Sequence, residues 1–218
     1  MSKIAIVGGH GKVAMILSKL LVEQGHQVTS FFRNPEHHGD VETTGASPVV
    51  LDVERSSTEV IAEQIAGHDA LIWSAGAGGG NPPRTYAVDR DAAIRSMDAA
   101  AQAGVRRYVM ISYLGSDLNH GVPEGDPFFP YAEAKAAADA YLRETDLDWT
   151  ILGPGRLTME PASGKIQVNP PPGTADHDTS RANVAAVAVA VLAEPRTIGR
   201  TIPFVDGDEP IERAILSA

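Results

Sequence analysis

The most specific chemical signal in the chain is a tyrosine and a lysine four residues apart, Tyr131 and Lys135, in a segment with helical character. Residues at this spacing lie on one face of a helix, about 5–6 Å apart at Cβ, so both can reach one ligand. A nearby ammonium group favours the phenolate form and lowers the pKa of a tyrosine from about 10. We therefore expect Lys135 to bring the pKa of Tyr131 toward the working pH, as acid–base catalysis requires.

Ser112 completes this candidate catalytic group, because it ends the apolar strand "RYVMIS". Its hydroxyl can donate a hydrogen bond to a substrate oxygen and polarise a carbonyl group. The three side chains together predict hydride transfer at a carbonyl or alcohol carbon. Chance is the alternative, since the same spacing arises on many amphipathic helices and Lys135 would then lie on a solvated face.

A glycine-rich turn near the start of the chain, "IVGGHGKVA", predicts a phosphate-binding site. Its spacing Gly8-x-x-Gly11-x-x-Ala14 follows a short apolar strand and begins a helix, which is the dinucleotide-binding arrangement. The mononucleotide P-loop pattern fails, because it needs a glycine where the chain has Ile6 and a hydroxyl residue where it has Val13. The helix N-terminus then faces the diphosphate with free N–H groups. A tight turn without any ligand is the alternative.

The residue after the second strand predicts which dinucleotide binds. An NAD site has an acid there, which accepts a hydrogen bond from the adenosine ribose, whereas "QVTSFF" is followed by Arg33. A guanidinium pairs with the 2′-phosphate of NADP, and Lys12 adds a second positive charge. NADP(H) is therefore expected in preference to NAD(H), unless Arg33 is simply solvated. Asp52 and Val53 are expected to contact the adenine, or alternatively to begin a turn.

The elements that position these residues alternate between apolar strands and amphipathic helices. Strands are predicted at "KIAIV", "QVTSFF", "PVVLDV", "DALIWSA", "RYVMIS" and "DWTIL", with helices at Lys12–Gln24, from a Ser56/Glu59 capping box, at Tyr86–Ala103 and from Pro130. This order predicts a doubly wound, mostly parallel α/β sheet, the Rossmann fold. Residues 1–218 are expected to form one domain, with 154–218 contributing much of the substrate side. The loops after Ala75, Ser112 and Gly155 all leave the carboxyl edge, where ligands bind.

Composition excludes several other classes of function. The 218 residues include no cysteine, so disulfides and thiol nucleophiles are excluded. A net charge of −10 without a basic run opposes nucleic-acid and membrane-surface binding. No signal peptide or membrane span is recognisable, so a cytoplasmic protein is expected. The histidines, including the adjacent His37 and His38, lack ligand spacing, so no metal site is expected. Small-residue helix faces leave monomer and homodimer open.

The chain resembles the atypical, NAD(P)H-binding branch of the short-chain dehydrogenase/reductase superfamily, which includes sugar-epimerase-like and flavin- and biliverdin-reductase-like proteins. The resemblance spans nearly the whole chain and rests on segments that occur in the family's order, namely "GGHGKVA", "FFRNP", "LDV", "SAGAG", "DAAAQAGVRRYVMIS", "YAEAK" and "DWTILGPGRLT". One departure is Gly153, which stands where an arginine often precedes the proline.

The resemblance implies a role for each matching position. Pyrophosphate and nearby ribose contacts are implied for Gly8, His10, Gly11, Lys12 and Val13. Adenosine contacts are implied for Arg33, Asp52, Val53, Ala75 and Gly76, and a place near the carboxamide for Pro154. Ser112, Tyr131 and Lys135 match the catalytic set, with Lys135 also holding the nicotinamide ribose. An NADP-dependent oxidoreductase acting on a small carbonyl or alcohol substrate is therefore expected. The alternatives are an NADPH-binding redox sensor with little turnover and an epimerase or dehydratase that retains its cofactor.

Overall fold

The computed structural model describes residues 1–171 and 177–218. The sequence predicts a loop at "NPPPGTADHD", and residues 172–176 of that loop lie outside the described residues. The strands are β1 Lys3–Val7, β2 Gln27–Phe32, β3 Ser47–Val50, β4 Ala70–Trp73, β5 Arg107–Ile111, β6 Asp148–Pro154, β7 Arg156–Thr158, β8 Lys165–Val168, β9 Asp178–Ser180, β10 Arg200–Asp206 and β11 Glu209–Pro210. The helices are α1 Lys12–Glu23, α2 His38–Glu42, α3 Thr58–Ile65, α4 Pro82–Thr85, α5 Ala93–Ala103, α6 Phe129–Arg143, α7 Arg181–Ala193 and α8 Ile211–Ala214.

Within the described residues, one large sheet has the order β11-β8-β10-β6-β5-β4-β1-β2-β3. The strands from β3 across to β10 pair in parallel, and only β8 and β11 at one edge pair antiparallel. Every residue of β4 is buried, as a strand covered on both faces requires. The predicted doubly wound, mostly parallel fold is therefore confirmed.

Helices cover both faces of this sheet. On one face α1 packs against α7, and on the other α3 packs against α5. Leu17 and Leu21 of α1 are buried in the first layer, whereas Ile61 and Ile65 of α3 are buried in the second. The sheet therefore has two separate apolar cores, and its carboxyl edge is left for a ligand. No helix of ranges 1–171 and 177–218 is long and apolar enough to span a membrane.

Several element boundaries differ from the sequence-based expectation. The N-cap of α3 is Ser57, whose side chain accepts a hydrogen bond from the Val60 N–H, so the predicted Ser56 capping box is wrong by one residue. Ser56 instead donates its hydroxyl to the Asp52 carbonyl. The third strand ends at Val50, because the chain turns at Asp52.

The long helix expected from Tyr86 begins earlier, at Pro82, and has three parts. After α4, residues Tyr86–Ala92 form a π-helical segment that continues directly into α5. The helix ends as expected at Gly104, whose φ of +73° is left-handed and favours glycine. A π-helical turn contains one residue more per turn than its neighbours, and such turns concentrate at functional sites. The segment carries Asp89, which is 2% exposed.

Candidate functional site

Three adjoining cavities follow one another across the carboxyl edge of the parallel strands. We call them the adenosine cavity (about 280 Å³), the central cavity (about 530 Å³) and the substrate cavity (about 640 Å³). The adenosine and central cavities share Gly11, Ala75 and Gly76. The central and substrate cavities share Ser112 and Tyr131. A continuous cleft therefore joins the glycine turn to the candidate catalytic group.

Every predicted site residue lines this cleft. The adenosine cavity is lined by Gly8, His10, Gly11, Arg33, Asp52, Val53, Ala75 and Gly76. The central cavity adds Lys12, Val13, Ser112, Tyr131 and Lys135, and the substrate cavity adds Pro154. The structure thus brings together residues that are far apart in sequence, while the role of each residue stays a prediction.

The glycine turn has the geometry of a phosphate cradle. Gly8 has a φ of +87°, and a Cβ there would lie 2.6 Å from the Ala75 backbone. The Gly11 N–H donates to the Gly8 carbonyl at 2.8 Å, which closes the turn. Helix α1 then begins with Gly11 as its N-cap, and no side chain of the described residues caps it or places an acid in its first turn. These uncapped N–H groups fit an anionic diphosphate.

The adenosine cavity contains more charge than the sequence indicated. The side chain of Arg33 is 54% exposed, and its Nη1 lies 3.3 Å from Glu54 Oε2. The same carboxylate oxygen lies 3.1 Å from Nε of Arg84. Both Glu54 and Arg84 line the cavity, and neither was predicted. Arg33 therefore shares a carboxylate with a second arginine.

Two of the predicted adenosine-side residues already have protein partners. The His10 ring stacks on His37 with centroids 3.6 Å apart, and its Nε2 lies 3.0 Å from Asp40 Oδ2. Asp52 accepts the Glu54 N–H at 3.2 Å through Oδ1, so it does shape the turn after β3. A contact between Asp52 and adenine stays a prediction.

Helix α6 places Tyr131, Lys135 and Asp139 on one face, because they are spaced four residues apart. Lys135 is 1% exposed, and its Nζ donates to the Ile111 carbonyl at 3.0 Å and contacts Met110 Sδ at 3.2 Å. The alternative of a solvated lysine is therefore wrong. Burial lowers the pKa of Lys135, and the nearby carboxylates of Asp139 and Asp89 oppose that shift.

Ser112 is hydrogen-bonded differently from the expectation. Its hydroxyl donates to Asp139 Oδ2 at 2.5 Å, and Ser116 donates to the same oxygen at 2.6 Å. Asp139 is fully buried, and its other oxygen, Oδ1, has no hydrogen-bond partner within the described part of the chain. Burial raises the pKa of Asp139, although Lys135 and the serines oppose the shift. The Ser112 proton is thus directed to Asp139, not toward the cavity as predicted.

The expected lowering of the Tyr131 pKa depends on Lys135 together with the positive ring of a bound nicotinamide, and it stays a prediction. Burial raises the pKa of Tyr131, and the carboxylates of Asp89 and Asp139 raise it further. Asp89 Oδ2 accepts the Ala77 N–H at 2.9 Å, and burial raises the pKa of this acid as well. The carboxyl groups of Asp89 and Asp139 offset the positive charge of Lys135, so that charge does not stabilise a phenolate at Tyr131. The protein therefore keeps Tyr131 protonated at neutral pH.

Aromatic rings line the substrate cavity. The Tyr113 ring lies 5.5 Å from the Tyr131 ring and 5.3 Å from the Phe128 ring, centroid to centroid. Leu114, Leu157, Pro170 and Pro171 complete a mostly apolar wall. Gly153 has little room for a side chain, since a Cβ would lie 3.2 Å from the Tyr113 carbonyl oxygen and 3.3 Å from Pro203 Cα. A side chain at this position would therefore require the neighbouring backbone to shift slightly.

Sequence reasoning missed several charged residues of the cleft or its walls, among them Glu54, Arg84, Asp89 and Asp139. Asp139 had a visible signal, because it follows Lys135 at the same spacing as Lys135 follows Tyr131. Arg84 and Glu54 are 30 residues apart, and no pattern in the sequence indicates that they meet. No group of three or more metal-ligating side chains occurs in the part of the chain that the structure describes.

A Rossmann-type sheet whose carboxyl edge carries an uncapped glycine turn defines a dinucleotide-binding protein. The family model described as NAD(P)H-binding matches residues 8–195, and the chain belongs to this family. The proteins similar to this chain fit the atypical short-chain dehydrogenase/reductase branch that the sequence resembles.

Several named proteins are similar to this chain over nearly the whole length of both chains. Bacillus subtilis YhfK, described as an uncharacterized sugar epimerase, is 33% identical over 98% of each chain. A Bacillus halodurans structure, assigned provisionally as an NAD-dependent epimerase/dehydratase, superposes with a TM-score of 0.90 and 30% identity over all of both chains. The Lactococcus lactis oxidoreductase YlbE gives a TM-score of 0.85 and 31% identity, covering 99% of this chain and 95% of its own.

Proposed function

We propose that the chain is an NADPH-dependent reductase that delivers hydride to the carbonyl group of a flat, largely apolar substrate. The observation that carries this proposal is the position of Tyr131, which lines both the central and the substrate cavity and whose pKa is raised by burial. A protonated phenol at neutral pH is a proton donor, and a proton donor serves the reductive direction.

The preference for NADPH rests on the charges of the adenosine cavity. Arg33 follows β2 and lines that cavity, at the position where an NAD-binding site has an acid. Lys12 begins α1, beside the glycine turn, and is exposed. A guanidinium and an ammonium there favour a nucleotide with an additional phosphate.

The chain's own residues divide the work of the reaction. The glycine turn and the N-terminus of α1 would hold the diphosphate, and Lys135 the nicotinamide ribose. The nicotinamide held by these residues would supply the hydride for the new C–H bond at the carbonyl carbon. Tyr131 gives its phenolic proton to the carbonyl oxygen, so that the C=O bond becomes CH–OH. Solvent returns one proton to the phenolate, and Asp139 fixes the orientation of Ser112 beside the reacting oxygen.

The lining of the substrate cavity supports a particular substrate class. Pockets lined by aromatic and aliphatic side chains bind ligands through buried apolar surface and stacking. Tyr113, Phe128 and Tyr131 form such a group next to the proton donor. A conjugated carbonyl compound, such as a quinone, fits this wall better than a small hydrophilic sugar.

Turnover of NADPH with menadione and phenanthrenequinone as probes tests the proposal. We expect Tyr131→Phe to lower kcat by about 10²–10⁴-fold, while the calorimetric Kd for NADPH barely changes. Tyr141→Phe is the matched control, because Tyr141 lies on the same helix and donates to Asp98 at 2.6 Å outside the cleft. Full turnover by Tyr131→Phe would refute the proposed role, and tight NADPH binding without any oxidation would favour a redox sensor.

A second candidate function is an epimerase that retains its cofactor, since two relatives carry epimerase descriptions. Such an enzyme would copurify with the dinucleotide and would not consume it. Denaturing the purified protein and analysing the released nucleotide distinguishes the two functions. We favour the reductase, because the aromatic wall of the substrate cavity suits an apolar carbonyl compound better than a hydrophilic sugar.

A further inference from the structure

Glu54 occupies a position in the adenosine cavity that conflicts with a second phosphate. Its Oε2 is 3.3 Å from Arg33 and 3.1 Å from Arg84, and all three side chains line the cavity. Glu54 is the least exposed of the three, at 25% against 54% for Arg33 and 31% for Arg84. A 2′-phosphate that binds Arg33 therefore has to compete with a carboxylate already in contact with it.

The partners of Glu54 differ in how firmly they are held. Arg84 also donates to the Ala77 carbonyl, and its N–H donates to the Asn81 side chain at 3.1 Å. The backbone of Glu54 is fixed by Arg95, which donates to the Val53 and Glu54 carbonyls at 3.0 Å each. Arg33 makes the longer contact and is the most exposed. It is consequently the arginine that can turn from Glu54 to a phosphate.

We infer that Glu54 and Arg84 determine the choice between NADPH and NADH through Arg33. Glu54 opposes the 2′-phosphate by repulsion and by retaining Arg33. Arg84 favours the phosphate, because it continues to neutralise Glu54 when Arg33 leaves. An ion pair that loses one partner leaves a costly partly buried charge, and Arg84 prevents that cost. Glu54 and Arg84 are thus specificity-determining residues with opposite effects.

Calorimetric titrations with NADPH and NADH test this inference, since the two ligands differ only by the 2′-phosphate. The measured quantity is the ratio of the two Kd values, which a general loss of structure would not change. Glu54→Gln should shift the ratio toward NADPH by about tenfold, the effect of one charge contact of about 1.4 kcal/mol. Arg84→Gln should shift it toward NADH by a similar factor. The double variant should resemble Glu54→Gln, because Arg84 then has no carboxylate left to neutralise.

Arg213→Gln is the matched control, because Arg213 also pairs with a glutamate, Glu209 at 3.2 Å, but is 84% exposed and does not line the cavity. The ratio of the Kd values for NADPH and NADH in this control variant should equal the wild-type ratio. Circular dichroism and urea unfolding verify that each variant is folded. An unchanged ratio in folded Glu54→Gln, or purely additive shifts in the double variant, would overturn the inference.

This inference rests on the proposed dinucleotide site, and the titrations separate the two failures. Wild-type protein that binds neither nucleotide removes the proposed function itself. Wild-type protein that binds both equally removes the NADPH preference, while a ratio that still rises in Glu54→Gln supports the role of Glu54.

Discussion

Replacing Gly8 by alanine tests the physical basis of the glycine turn. Gly8 has a left-handed φ of +87°, and an added Cβ would lie 2.6 Å from both Cα and N of Ala75. The left-handed conformation costs an L-residue about 1–2 kcal/mol. Overpacking against a neighbour that cannot move adds about 1–3 kcal/mol. We therefore expect Gly8→Ala to lower the free energy of unfolding by about 2–5 kcal/mol.

Gly67→Ala separates the two contributions. Gly67 has a similar φ of +75°, but none of the described heavy atoms lies within 4 Å of an added Cβ. Gly67→Ala should therefore lower the free energy of unfolding only by the cost of the left-handed conformation, about 1–2 kcal/mol. The change in unfolded-chain entropy from glycine to alanine is common to both variants and cancels in the comparison.

Urea unfolding followed by circular dichroism measures both losses, with an unchanged m-value as evidence that the same surface is exposed. Gly8→Ala should also bind NADPH more weakly, because the turn must open to relieve the clash. Equal losses of stability in the two variants would show that the contact with Ala75 relaxes freely and that the steric reasoning is incorrect.

Two further predictions concern buried polar groups around the cleft. Burial raises the pKa of Asp139, so its proton stabilises the folded state below the unfolded pKa of about 3.9, and this contribution is lost as the pH rises through the native value. The stability of Asp139→Asn relative to wild type, measured by urea unfolding, should therefore improve as the pH rises above about 3.9, and a difference that does not change with pH would contradict this prediction. His120 joins the loop before α6 to that helix, accepting the Val122 N–H at 3.0 Å and lying 2.8 Å from Glu133. His120→Ala should accelerate proteolysis within residues 113–127, whereas Glu133→Gln, which keeps an acceptor, should change it less; equal rates in both variants would exclude a role for the imidazole.

Local patterns were sufficient to predict the parallel sheet. "KIAIV" and "ALIW" are continuous apolar runs, and both are central strands with buried side chains. The glycine turn and the Tyr131–Lys135 spacing were also local, and both reach the same cleft. Features that depend on short-range chemistry along the chain were therefore visible before the structure.

Features that depend on long-range contacts were not visible. The partner of the Ser112 hydroxyl, Asp139, lies 27 residues away, and the direction of that bond follows from the packing of α6 on β5. The features of the protein that raise the pKa of Tyr131 were hidden for the same reason, since neither burial nor Asp89 can be inferred from the spacing of Tyr131 and Lys135. The antiparallel pairing of β8 with β11 was likewise not visible, because it joins Ile166 to Glu209, which are far apart in the sequence.

The π-helical segment Tyr86–Ala92 makes this helix sensitive to the deletion of a single residue. Removing one residue from it would restore regular α-helical winding without disturbing the downstream packing of Ala93–Ala103. The π turn accommodates the additional residue locally, so the helical segments on either side would keep their register. Asp89 lies within this turn, and the deletion would displace its carboxylate from the Ala77 N–H that it now accepts. A single deletion would therefore change the wall of the cleft while the rest of the protein stays the same.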